Sequence, residues 1–153
     1  MTIEQKLRGL GIELPGPAAP AGRYRPWLIT GDWLFISGQL PLENGAVRYR
    51  GKLGSDLDEA EGRAAARLCG VNVLAQIRDA LVGFERLKEL VRVDGHVASA
   101  PGWSKQHLVL DGASELFVEV LQEQAGHVRT AFGQTSLPLD AAVELAVIAT
   151  LKR

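Results

Sequence analysis

The apolar positions of this chain fall into two periods, and their alternation sets out the elements. Trp33-Leu34-Phe35-Ile36 is continuously apolar, which predicts a strand covered on both faces with Trp33 in the core. It follows the turn pair Gly31-Asp32 and ends at Ser37-Gly38-Gln39. A first strand is expected over residues 24–30, at an edge or bulge because of Pro26. Pro41 and the Asn44-Gly45 turn lead to a short third strand near residues 47–49. The period then changes. Leu57, Ala64, Leu68, Val71, Ala75 and Leu81 recur near helical spacing, and residues 55–59 supply capping and acidic side chains. A helix over residues 57–82 follows. Residues 87–97 read as a turn and then a strand. Ala113, Leu116, Phe117, Val120 and Leu121 mark a second amphipathic helix that stops before Gly126. Two more strands, residues 127–133 and 143–149, flank a Leu137-Pro138 turn.

The order is β-β-β-α-β-α-β-β, an α+β pattern in which two helices pack on one face of a mixed sheet. Ahead of it stands a short amphipathic start (Ile3, Leu7, Leu10) and a segment rich in Pro and Gly, residues 14–22. Residues 1–153 are read as a single domain, with residues 1–22 as its helix and lead-in. In the last strand Val143, Leu145, Val147, Ala149 and Leu151 point one way, and Glu144, Ala146, Ile148 and Thr150 the other. If helices cover the first face, the second is too apolar for solvent, and another subunit is expected there.

Composition narrows the partners. The formal net charge is −1 and no basic stripe is present, which argues against nucleic acid. No apolar run reaches the length of a membrane span, and the first eight residues lack a signal-peptide core. The single Cys69 excludes an intrachain disulfide and fits a reducing cytosol, so a cytoplasmic protein is expected.

The candidate chemistry lies in the last two strands. Arg129 stands among Val, Ala and Phe, and Glu144 among Val, Leu, Ala and Ile. A charge in such company is costly to bury unless paired. On neighbouring strands the two would form a small site for an anionic substrate, or simply a structural ion pair. Ser37 lacks a Gly-x-Ser-x-Gly setting and reads on its own as a strand-end residue. Tyr24 alone reads as a half-buried aromatic. Cys69 reads as an inert core thiol. His96, His107 and His127 share no ligand spacing, so no metal is expected; His127 lies two residues from Arg129 and points the same way. Gly51-Lys52-Leu53-Gly54 reads as a turn rather than a phosphate loop. Trp27 stays open, and Trp103 is read at a subunit contact or a pocket rim.

Taken in order, Tyr24, Gly31-Asp32, the strand ending Ser37-Gly38-Gln39, the long helix, Asp111, Arg129, Leu137-Pro138 and Glu144 give the chain a resemblance to the RidA/YjgF family. The resemblance implies a chorismate-mutase-like fold, a homotrimer, and hydrolysis of reactive enamines and imines without a cofactor. It implies that Arg129 binds a substrate carboxylate and that Tyr24, Ser37, Gly38 and Asp111 line the pocket. Glu144 would hold or activate water. Founding members have Asn at Asp111, Cys at Ala131 and a second Glu at Ala146, which marks this chain as a divergent branch. The mechanism so implied is simple. Arg129 pairs with the carboxylate of a 2-imino acid, Glu144 takes a proton from water, and Tyr24 and Ser37 hydrogen-bond the substrate. A trimer that binds small carboxylates without turnover, in a regulatory role, is the alternative.

Overall fold

In the computed structural model, which describes all residues from Met1 to Arg153, the chain builds one five-stranded sheet and lays its helices on one side of it. The strands are β1 (Trp27–Thr30), β2 (Trp33–Gln39), β5 (Leu87–Ala98), β6 (Val128–Gln134) and β7 (Val143–Leu151). Between β2 and β5 in sequence, β3 (Leu42–Glu43) and β4 (Ala46–Val47) form a separate hairpin. The main sheet runs in the order β1-β2-β7-β5-β6. Its pairings are antiparallel except β5–β6, which is parallel, so the sheet is mixed.

Three helices complete the fold: α1 (Ile3–Gly9), α2 (Glu59–Leu81) and α3 (Gln106–Leu121). A capping box starts α2, with Asp58 accepting from the Glu61 N–H and Glu61 returning a carboxylate to the Asp58 N–H. Val73, Leu74, Ile77, Leu116 and Phe117 of α2 and α3 meet Leu34, Leu90, Val93, Leu145 and Val147 of the sheet in one contiguous core. The two helices pack closely. A side chain at Gly112 would collide with the main chain of α2 at Arg63. Arg63 bridges to Glu115 and Arg67 to Glu119 across the outer seam.

Apart from the third strand, the element order stands as expected, as does the alternation of β7; Val143, Leu145, Val147, Ala149 and Leu151 are buried and the residues between them half-buried. Other expectations are corrected. The first strand starts only at Trp27, because residues 21–24 bend and Pro26 has no N–H to donate, although its carbonyl accepts from the Ser37 N–H. β2 is covered on one face: Leu34 and Ile36 are buried, whereas Trp33 and Phe35 are 44% and 39% exposed. Trp33 therefore lies outside the core, opposite Thr150 on the open face. The expected third strand is instead the hairpin turned by Asn44-Gly45, both with positive φ. The buried face of α2 keeps Ala75 and Leu81 of the expected stripe and otherwise runs through Ala65, Ala66, Cys69, Val73 and Ile77, whereas Ala64, Leu68 and Val71 are only half-buried. Asn72 and Gln76 also lie on that face, their amides bonded to Leu40, Leu42 and Ala18 carbonyls, which blurs the apolar period. The second helix begins at Gln106, so Asp111 lies within α3 and does not open it.

No helix is long and apolar enough to cross a membrane. The open face of the sheet carries Leu28, Trp33, Phe35, Val128 and Phe132 as exposed large apolar side chains.

Candidate functional site

Glu144 is the second residue of β7, on the open face. On one side it stands directly across from His96 of β5. On the other side the β2–β7 register slips between Ile36 and Gln39. That bulge leaves Ser37 and Gly38 out of the regular pairing beside Glu144. Gly38 is open for a reason: its first side-chain carbon would overlap the Glu144 carboxylate. The carboxylate makes no hydrogen bond or ion pair within the chain. Burial pushes its pKa above the usual carboxylate range, and the neighbouring His96 partly offsets this.

Glu144 lines a cleft of about 380 Å³ together with Tyr24, Ser37, Gly38, Gln39 and Leu139. The lead-in, residues 18–21, forms its outer wall, held by the buried Gln76 amide on the Ala18 carbonyl and by the Tyr24 hydroxyl on the Ala21 N–H. The Ser37 hydroxyl donates to the Arg25 carbonyl at 2.6 Å, so it is committed to holding the chain before β1. At the rim Leu139 and Asp140 both adopt positive φ, an uncommon pair for residues with side chains. A larger hollow of about 510 Å³ beside α1 contains none of these groups.

Arg129 is elsewhere. Its position on β6 pairs with Val93, whose side chain is in the core, so it points toward the helices. One guanidinium nitrogen donates to Asp111 at 2.9 Å and Ser114 at 3.0 Å, and the other to the His107 carbonyl at 3.1 Å. His127, with φ +67, donates from Nδ1 to the Ala125 carbonyl and accepts at Nε2 from the same Ser114 hydroxyl. His127 and Arg129 thus share a side, as their spacing predicts.

Two clusters result. Tyr24, Ser37, Gly38 and Glu144 come together along one cleft; Arg129 and Asp111 come together at the edge of the helical layer. The expectation that Arg129 and Glu144 stand on neighbouring strands is overturned, because β5 runs between β6 and β7. His96 is the residue that sequence reasoning passed over. Its only signal is alternation along β5, and that acquires meaning once the β5–β7 register is known.

The remaining candidates are structural. Cys69 is fully buried and its thiol pKa is pushed well up, mainly by burial and then by the charge of Glu144. Trp27 donates to the Asp79 carboxylate, and Trp103 packs on Gly54 against the core. Asp56 accepts from the Lys52 N–H, which closes the 51–54 turn.

Residues 4–151 match the family model described as "YjgF/chorismate_mutase-like, putative endoribonuclease". Protein TCP17 of Trypanosoma cruzi is 39% identical over 97% of this chain and 94% of its own length. The crystal structure of protein Atu1372, of unknown function, from Agrobacterium tumefaciens superposes with a TM-score of 0.91 at 41% identity, over 99% of this chain and 94% of that one. TdcF of E. coli with bound serine shares the fold, with a TM-score of 0.64 at 20% identity over 88% of this chain and 92% of its own.

Proposed function

We propose that this chain, which belongs to the YjgF/chorismate-mutase-like family of RidA and YjgF proteins, is a cofactor-free hydrolase of reactive enamines and imines. The substrates would be of the 2-imino acid type and the products a 2-keto acid and ammonia. The observation that carries this reading is the unpartnered Glu144 carboxylate. It is half-buried, held above the usual carboxylate range, and lines a cleft beside a glycine that leaves it room. Such a group is suited to take a proton from water and return it to nitrogen.

An imine carbon is already electrophilic, so hydrolysis requires a positioned water and proton transfer more than a strong nucleophile. Glu144 supplies the transfer, a contribution of about 10²–10⁴ in rate for a placed general base. Arg129 supplies the planar fork for the substrate carboxylate, which displaces Asp111 from it. Within one chain the two groups face opposite sides of the sheet. The working site in this reading therefore joins them from neighbouring copies of a homotrimer. The exposed apolar side chains of the open face support that assembly. The lone reduced Cys69 suits a cytoplasmic setting.

The second reading, a trimer that binds small carboxylates without turnover, draws on the Arg129 cluster, which needs nothing from Glu144. The serine held by TdcF is a small carboxylate ligand on the same fold. The test is ammonia release from 2-iminobutyrate generated in situ. Turnover that falls in both Arg129→Ala and Glu144→Gln supports the hydrolase. Carboxylate binding without any ammonia release by wild type supports the binder.

A further inference from the structure

On the open face, His96 of β5 stands directly across from Glu144 of β7. Side chains so paired start about 4.5–5.5 Å apart at Cβ. On its other side His96 pairs with Phe132 of β6, and the rings stack at 5.2 Å between centroids and 25° between planes. Gln134, two residues along β6, places its amide nitrogen 3.2 Å from His96 Nδ1. An amide N–H can only donate, so Nδ1 is the acceptor and the ring proton resides on Nε2. Stack and hydrogen bond together fix both the plane and the tautomer of the imidazole. Its Nε2–H has no partner in the chain, and neither has the Glu144 carboxylate facing it.

The nearby charges do not alter this. Asp94 lies on the same face of β5, but Arg92 and Thr130 occupy its carboxylate. Glu144 is the carboxylate directly across from His96, and Arg92, on the same face of β5, is engaged with Asp94. An oriented donor and a free carboxylate thus stand side by side on adjacent strands, at the β5 side of the cleft that Glu144 lines.

We propose that His96 is a second catalytic group of the Glu144 site, donating its Nε2–H to the substrate nitrogen; this rests on the hydrolase reading above. The steps balance with His96 neutral throughout. Water attacks the imine carbon, its oxygen forms the new C–O bond, and its proton passes to Glu144. The electron pair of the C=N π-bond moves onto nitrogen, where the His96 N–H stabilises it until Glu144 returns the proton. Glu144 then takes the hydroxyl proton of the carbinolamine, delivers it to nitrogen, and the C–N bond breaks to release ammonia and the carbonyl product. A fixed donor aimed at a developing negative charge is worth most in a site closed to solvent.

His96→Phe keeps a flat ring against Phe132 and deletes the donor. In the ammonia-release assay it should lower kcat about a hundredfold with KM little changed, the signature of a contact made in the transition state. His96→Gln, which restores an N–H, should recover part of the loss. Wild-type turnover that His96→Phe leaves unchanged overturns the role of His96 and leaves the hydrolase reading standing. Wild type with no turnover on any small imine overturns both.

Discussion

Arg129 and Glu144 point to opposite faces of one sheet. Arg129 reaches into the helical layer and is tied to Asp111, Ser114 and His107, while Glu144 lies on the open face beside Gly38. β5 separates their strands. Each residue can therefore be altered without directly disturbing the other within one chain.

Arg129 straps the parallel edge strand β6 to α3. Arg129→Ala removes three hydrogen bonds and should cost about 1–3 kcal/mol in urea unfolding, toward the low end because Asp111 is 40% exposed. Arg129→Lys keeps the charge but loses the fork, so it should recover little anion affinity. Asp111→Asn, which removes the competing carboxylate, should bind a small carboxylate more tightly than wild type by calorimetry. Equal affinity in both would mean that the guanidinium is a fastening and no ligand site.

Glu144→Gln should lose turnover by about a hundredfold or more, as expected when a general base becomes an amide. Its stability should move the other way. Burial raises the folded-state pKa of Glu144, so the folded chain holds this proton more tightly than the unfolded chain. That stability is fully present below the unfolded carboxylate pKa and is lost as pH rises through the raised folded value. The uncharged Gln variant escapes the loss. It should match wild type near pH 4 and melt higher at pH 7. A lower melting temperature at pH 7 would mean that the carboxylate has a stabilising partner in the assembled protein.

Gly38→Ala places a carbon where the Glu144 carboxylate sits. The obstacle is the far end of a flexible side chain and Gly38 lacks positive φ, so folding should survive with less than about 1 kcal/mol lost. The carboxylate, however, must move. Ammonia release should fall nearly as far as in Glu144→Gln while circular dichroism is unchanged. Full activity in Gly38→Ala would show that the position of this carboxylate is not critical.

Phe35 and Trp33 lie on the apolar half of the open face with Leu28. Light scattering should give the mass of three 16.5 kDa chains. Phe35→Glu adds a charge to that face without touching the core, and should yield monomers that lose turnover together with assembly. A wild type that is monomeric at micromolar concentration would remove the trimer and, with it, a site shared between copies.

The hydrophobic period determined the element order, the helical covering of one face, and the facing of each β7 residue, because these depend on neighbours a few positions away. It misjudged Trp33 and Phe35, since four apolar residues in a row do not say whether the second face is covered by the same chain. It placed Ala75 and Leu81 of the α2 stripe correctly but Ala64, Leu68 and Val71 at its margin, because buried Asn72 and Gln76 look like surface residues until their carbonyl partners are seen. The family resemblance placed Tyr24, Ser37, Gly38 and Glu144 in one pocket with Arg129 and Asp111; the fold of one chain lines a cleft with the first four and sets the last two apart. Strand order was beyond reach. Inserting β7 between β2 and β5 is a matter of long-range pairing, which leaves no local pattern, yet it parts Arg129 from Glu144 and brings His96 to Glu144. Local periodicity fixes which way a side chain points along its own strand. Only the packed sheet decides which other side chains it meets there, because those partners are chosen by backbone ladders and core burial across the whole chain.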